Sequence, residues 1–170
     1  MYISSQNMLL TRFRYYSSYH IRFPLLQEPT GCIDSYNTCP LLFWTVMELA
    51  SRNSSIYSYL SSQLQAPIDR LAATFSAPAS RSIYFVQGLL IRCLWPLPYL
   101  TVNGDPSCLY CGVAIQMATL IGLHRPQHPY RFLSAMDSEL GNLEARTRTW
   151  VSCFIVDQAY CIVFYLLQSS

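Results

Sequence analysis

Residues 105–125 read DPSCLYCGVAIQMATLIGLHR, and this stretch decides the fold class. Asp105 is a carboxylate that can accept the free N–H groups of a helix start, and Pro106 suits a first helical position because it has no N–H to leave unpaired. Apolar residues then recur at steps of three and four, which predicts a helix to about residue 123. The predicted inward face consists of Leu109, Val113, Met117 and Leu120.

The C-terminal end of this helix carries residues that complement a helix terminus. His124 and Arg125 lie where the backbone dipole is negative, and Pro126 stops the helix. We therefore interpret His124 as a structural residue that meets the free carbonyl groups, in preference to a catalytic base or a metal ligand.

Shorter helices are predicted on the N-terminal side. One is expected over residues 7–20 and a second from residue 38 or 39, with Pro40 in its first turn. Ser54 or Ser55 is predicted to cap a third. Each of these segments has helical apolar spacing, and each is separated from the next by turn-forming residues.

Proline and serine also set the remaining boundaries. Pro67 falls inside the third pattern and predicts a kink or a restart there. Ser80 is expected to cap a fourth helix that Pro96 ends, and the last helix is expected to start between residues 138 and 142. The prediction is an all-α protein, an irregular bundle of about six helices that forms an incomplete part of a larger helical domain.

The scarcity of charge supports an incomplete domain. Charged residues make up 12% of the chain and hydrophobic residues 52%, whereas about 25% charged is typical. Such a chain is either embedded in a membrane or covered by further protein. The apolar stretch 150–167 holds Asp157 near its middle, where a carboxylate in lipid costs at least about 2.5 kcal/mol. We therefore expect no membrane.

The distribution of basic residues and cysteines argues against two further kinds of site, a nucleic-acid-binding surface and a zinc site. All eleven basic residues are arginine, scattered along the chain, and the net charge is +2, so no dense basic stripe predicts direct nucleic-acid contact. The seven cysteines are irregularly spaced and read as reduced, mostly buried thiols. Cys108 and Cys111 lack the second ligand pair that would mark a zinc site, and we expect no cofactor in this chain.

No nucleophile motif, glycine-rich phosphate loop, catalytic carboxylate pair or nucleotide fingerprint is present in the sequence. The prediction is that the protein is not an enzyme. The alternative that stays open is a small helical ligand-binding protein or an enzyme without a recognisable motif.

A second informative stretch, residues 144–157, reads EARTRTWVSCFIVD. Glu144 and Arg148 form a favourable i,i+4 pair on a helix. Arg146 and Asp157 are three helical turns apart and share a face. Because Asp157 lies in an apolar run, we expect it to pair with an arginine of another helix such as Arg125; a contact with a regulatory ligand is the alternative.

Together these two stretches resemble the middle of the fungal-specific transcription factor domain, which is found in fungal zinc-cluster transcription factors. Residues 82–98 and the turn YHIRFPLL at 19–26 resemble upstream segments of the same domain, so the resemblance covers roughly 13–157. The motif positions are Gly122, Leu123, His124, Arg125, Glu144, Arg146, Arg148, Trp150 and Asp157.

The resemblance implies transcription regulation in the nucleus. It implies as partners the rest of the transcription factor or a homodimer partner, and a possible small-molecule effector. Zinc is implied only for the family's six-cysteine N-terminal cluster, which this sequence lacks. After Asp157 the family's Gly-x-Pro turn is also missing, so we expect a regulatory domain at 1–157 and an aberrant or truncated tail at 158–170.

Overall fold

The structure, a computed structural model, describes residues 13–27, 36–52, 54, 57–96, 105–125 and 143–168. Within these ranges the secondary structure is helical and contains no strand, which confirms the all-α prediction. The longer helices are α1 (Pro40–Ser51), α2 (Ser58–Ala72), α3 (Ile83–Leu94), α4 (Ser107–Leu120) and α5 (Leu143–Gln168). The predicted helix over 7–20 lies partly outside the described residues; its end is present as a π-helical turn, Tyr16–His20.

The chain divides into two compact units, Met1–Ser80 and Arg81–Ser170. In the first unit α1 packs against α2, and in the second α3, α4 and α5 pack against one another. The sequence motifs do not predict this division. Helix α5 runs without interruption across residue 157, and the boundary expected there stays a prediction.

A buried carboxylate joins the two helices of the first unit. Glu48 of α1 is fully buried and accepts hydrogen bonds from Nε and Nη2 of Arg52, each at 2.9 Å. The hydroxyl of Ser61 on α2 donates to the same carboxylate at 2.6 Å. Three donors compensate the loss of water around this charge, so the group can lie in an otherwise apolar contact.

One of the predicted start signals is present: Pro40 is the first residue of α1, directly after Cys39. Ser54 does not cap α2, because this helix begins at Ser58 with Tyr57 as its N-cap and has no side-chain cap. The Ser54 hydroxyl oxygen accepts the Tyr57 N–H at 3.2 Å in the turn before the helix; Ser55 lies outside the described residues.

The predicted restart at Pro67 and the predicted cap at Ser80 are wrong, and the kink that was the alternative at Pro67 stays a prediction. Helix α2 continues through Pro67 as one element; this proline is exposed, so the carbonyl that loses its partner can bond to water. Ser82, not Ser80, caps α3, and its hydroxyl oxygen accepts the Phe85 N–H at 3.2 Å. The Ser80 hydroxyl donates instead to the Thr74 carbonyl at 2.7 Å, within the preceding turns.

Helix α4 starts one residue later than expected, at Ser107 with Pro106 as its N-cap, and turns a different face inward. The Asp105 carboxylate accepts the Ser107 N–H at 2.9 Å. Of the predicted face, Met117 is buried, while Leu109 is 64% and Leu120 52% exposed. The buried side is made mainly of smaller side chains, which let α3 and α5 approach closely. Its members are Ser107, Tyr110, Cys111, Ala114, Met117 and Ala118.

Across the described ranges, none of the helices is both long and apolar enough to cross a membrane.

Candidate functional site

The C-terminal end of α4 is closed by a glycine in the left-handed conformation. Gly122 has φ 73°, and its N–H donates to the Thr119 carbonyl at 3.0 Å. The next N–H, that of Leu123, donates to the Ala118 carbonyl at 2.8 Å. These two bonds form a Schellman motif, and the fully buried Leu123 side chain supplies the apolar contact that accompanies it.

An arginine from α5 reaches this helix end. Nη2 of Arg146 donates to the carbonyl oxygen of Gly122 at 3.1 Å, and the side chain is buried. The same oxygen accepts the backbone N–H of Arg125 at 3.1 Å. The positive guanidinium therefore lies at the negative end of the α4 dipole, which is a favourable electrostatic arrangement.

The hydrogen-bonding capacity of Arg146 is largely unused. Its Nε and Nη1 are buried and have no hydrogen-bond partner in the described structure. Burial lowers the pKa of the guanidinium, because desolvation disfavours the charged form. A buried cation that binds one carbonyl is an under-compensated charge. Its Nε and Nη1 can still donate hydrogen bonds to a further acceptor group.

A ring contact adds a second link between the same two segments. His124 and Trp150 meet edge to face, with ring centroids 6.0 Å apart and an interplanar angle of 61°. The structure thus brings Gly122–Arg125 together with Arg146 and Trp150. The two separate sequence motifs form one contact between the end of α4 and the beginning of α5.

The remaining predicted positions lie away from this contact. Glu144 and Arg148 form the expected ion pair on the outer side of α5. Asp157 is half-buried, and its carboxylate accepts only a 3.4 Å hydrogen bond from Gln158 Nε2. Among the described residues neither Asp157 nor Arg125 forms an ion pair, so the expected pairing between them is absent. The Arg125 side chain is exposed and can remain hydrated.

One buried polar contact was not recognisable in the sequence. Gln87 Nε2 on α3 donates to Thr149 Oγ1 on α5 at 2.9 Å, and both side chains are buried. The buried face of α5 contains several polar residues, which weakens its hydrophobic periodicity. The four-residue spacing from Ala145 through Thr149 to Cys153 was the available signal for this face.

Metal binding finds no support in the part of the chain that is described. No group of three or more His, Cys, Asp or Glu side chains there is arranged to hold an ion. Cys108 is exposed and Cys111 is buried, both as free thiols.

Comparison with known proteins identifies the class. Residues 13–166 match the fungal specific transcription factor domain. The putative transcription factor SEF1 of Kluyveromyces lactis is 32% identical over 96% of this chain, and the transcriptional regulatory protein SEF1 of Candida albicans is 32% identical over 82%. The regulatory protein LEU3 of Saccharomyces cerevisiae is 25% identical over the whole chain. No solved structure matches.

These relatives are regulators of transcription. The chain belongs to the fungal-specific transcription factor domain family, which confirms the resemblance drawn from the motifs. It spans only 14% of the Kluyveromyces lactis relative, 15% of the Candida albicans one and 22% of LEU3.

Proposed function

We propose that this region is the regulatory, effector-responsive part of a nuclear transcription factor, and that the contact between α4 and α5 is its responsive element. Membership of a transcription factor family supports the regulatory role. The observation that carries the mechanism is Arg146, which is buried and charged and which, within the part of the chain that the structure describes, is bound by one carbonyl, that of Gly122. If an effector or partner offered a second hydrogen-bond acceptor to Arg146, it would change the relative stability of the packings of α4 and α5 at this helix end.

The response is a shift between two packings of α4 and α5. An effector moves such an equilibrium only by as much as it prefers one packing. An acceptor group that reaches Nε or Nη1 of Arg146 interacts with the packing that presents those atoms, and so has the required preference. Gly122 and the His124–Trp150 contact would transmit the change to the rest of the protein.

The partners in this proposal are the remainder of the transcription factor or a second copy, with a small molecule as effector. DNA contact belongs to the zinc-cluster module that is typical of the family, and this region binds neither DNA nor a cofactor itself. We assign it no enzymatic activity.

The test fuses the chain to an unrelated DNA-binding domain and measures a reporter gene in yeast. The wild-type fusion is expected to change transcription relative to the DNA-binding domain alone. Arg146→Met is expected to alter that output at equal protein level, whereas Arg148→Met, at the exposed pair with Glu144, leaves it unchanged. Identical output from the fusion and the DNA-binding domain alone would refute the regulatory role; equal effects of the two substitutions would refute the role of Arg146.

A further inference from the structure

Five cysteines converge on the three helices of the second unit. Cys93 lies in the last turn of α3, Cys108 and Cys111 lie in the first two turns of α4, and Cys153 and Cys161 lie on α5. All five are free thiols. Thiols that lie close together can be oxidised to a disulfide.

Cys93 is held at the point where the three helices meet. Its sulfur donates to the Ser107 carbonyl in the first turn of α4 at 3.3 Å. Its own carbonyl oxygen accepts the Tyr160 hydroxyl of α5 at 3.0 Å. Cys111 lies one turn further along α4, on the same buried face as Ser107. Because a helical side chain covers the turn before its own Cα, the Cys111 thiol lies over the turn that the Cys93 sulfur contacts. Both thiols are buried, Cys93 at 4% and Cys111 at 3% exposure.

The two thiols differ in pKa. The Cys93 S–H lowers the pKa of Cys111, because it can turn from the Ser107 carbonyl to the Cys111 sulfur once that sulfur is a thiolate; burial acts in the opposite direction on this group. The same interaction, together with burial, raises the pKa of Cys93. Burial also raises the pKa of Cys108 and, to about 12, that of Cys153. Cys111 is thus suited to react first, with Cys93 beside it as the second thiol.

We infer that Cys93 and Cys111 are a reversible redox pair that hydrogen peroxide oxidises to a disulfide between α3 and α4. The Cys111 thiolate attacks one peroxide oxygen, the O–O bond breaks, and hydroxide leaves a sulfenic acid on Cys111. The hydroxide takes the Cys93 proton and becomes water. The Cys93 sulfur then attacks the Cys111 sulfur, the S–O bond breaks, and the departing hydroxide is protonated to a second water.

In sum two thiols and one peroxide give one disulfide and two waters, so both sulfurs are oxidised and both peroxide oxygens reduced. Peroxide is close to water in size, and local opening of a helix end is enough to admit it. The bond would join the last turn of α3 covalently to α4. Oxidation would then favour the packing of these helices seen here, and a thiol reductant would reverse it.

Peptide mapping tests this directly, because cleavage before aspartate separates the cysteines. It places Cys93 in residues 69–104 and Cys108 with Cys111 in 105–136, while Cys153 falls in 137–156 and Cys161 in 157–170. After peroxide treatment and blocking of free thiols, peptides 69–104 and 105–136 should appear joined. Their joint mass should be about 2 Da below the sum, the loss of two hydrogens, and dithiothreitol should separate them.

Substitutions show which two cysteines form the disulfide, since Cys108 and Cys111 lie in the same peptide. Cys93→Ser and Cys111→Ser should each abolish the joined species, while Cys108→Ser and Cys153→Ser, matched controls in the same cluster, should retain it. Circular dichroism of each variant distinguishes lost reactivity from lost folding. Oxidation of the wild-type chain in guanidinium chloride should yield mixed pairings in place of this one.

Three results would overturn the inference. The first is that peroxide joins peptide 105–136 to the peptide that contains Cys153 or Cys161, and not to peptide 69–104. A second is a Cys93 that stays open to alkylation at peroxide levels that already oxidise the exposed Cys108. The third is an equal yield of the Cys93–Cys111 bond in the unfolded chain, since the folded packing would then not direct it.

Discussion

Among the described residues, the buried guanidinium of Arg146 donates one hydrogen bond, from Nη2 to the carbonyl oxygen of Gly122 at the end of α4, over 3.1 Å. For the carbonyl the arrangement is complete, because the Arg125 N–H occupies its second acceptor position. For Arg146 it is incomplete, because Nε and Nη1 are buried and have no hydrogen-bond partner in the described ranges. We therefore expect the net contribution of Arg146 to stability to be small or negative.

Replacing Arg146 should therefore not destabilise the protein. Arg146→Met is expected to raise the free energy of unfolding by about 1–3 kcal/mol, because it removes an under-compensated buried charge and keeps most of the side-chain volume. Urea unfolding followed by tryptophan fluorescence measures the change. Arg148→Met, at the partly exposed pair, is the control and should change stability by less than about 0.5 kcal/mol. A loss above about 1 kcal/mol in Arg146→Met would show that the single bond to Gly122 outweighs the desolvation of the charge.

Two glycines should respond with opposite signs to the same substitution. Gly122→Ala forces a Cβ into the left-handed conformation at φ 73° and should lower stability by about 1 kcal/mol. Gly112→Ala lies inside α4 with nothing within 4 Å of the added Cβ and should raise it by about 0.5–1 kcal/mol. Thermal and urea unfolding of both variants check this. Shifts in the same direction would contradict the assignment of Gly122 as the Schellman glycine.

The two i,i+4 Glu–Arg pairs should differ in their contribution. Glu48→Ala leaves the Arg52 cation and the Ser61 hydroxyl without their shared buried acceptor, so we expect a loss of about 3–5 kcal/mol. Glu144→Ala removes an exposed partner and should change stability by about 0.5 kcal/mol or less. Urea titration of both variants gives the comparison. Similar losses would mean that solvent screens Glu48 despite its burial.

Stability should fall at alkaline pH. Burial, assisted by the nearby Cys111, raises the pKa of the Cys153 thiol from 9.0 to about 12. Between these values the unfolded chain has released this proton and the folded chain has kept it. The contribution of the Cys153 thiol to the free energy of unfolding is therefore fully present below about pH 9. It is lost as the pH rises toward 12, by up to about 1.4 kcal/mol per pH unit.

The comparison that isolates this group is Cys153→Ala, measured by urea unfolding with a thiol reductant present. Below about pH 8 the difference in unfolding free energy between variant and wild type should be constant, and above it the variant should fall less steeply. Parallel curves up to pH 12 would mean that Cys153 contributes nothing to the alkaline loss.

Local features of the chain determined the helices and the family. Pro40, Asp105 and the i,i+4 spacing of Glu144 and Arg148 act over a few residues, and each has the structural effect that its position in sequence predicts. The motifs at 109–125 and 144–157 identified the family without any structure. Such signals depend on neighbouring backbone groups, so they can be read from the chain alone.

Only the tertiary structure decided which sides of the helices are buried and which polar groups pair. Leu109 and Leu120 are exposed because the approach of α3 and α5 requires the small side chains of Ala114 and Ala118 in the contact. Arg146 binds a backbone carbonyl, and the ion pair expected between Asp157 and an arginine such as Arg125 is absent among the described residues. An apolar helix with several possible inward faces does not specify its neighbour. The fit of the surrounding helices selects one face, and that fit also brings the Cys93 sulfur to the turn of α4 that starts at Ser107 and ends at Cys111.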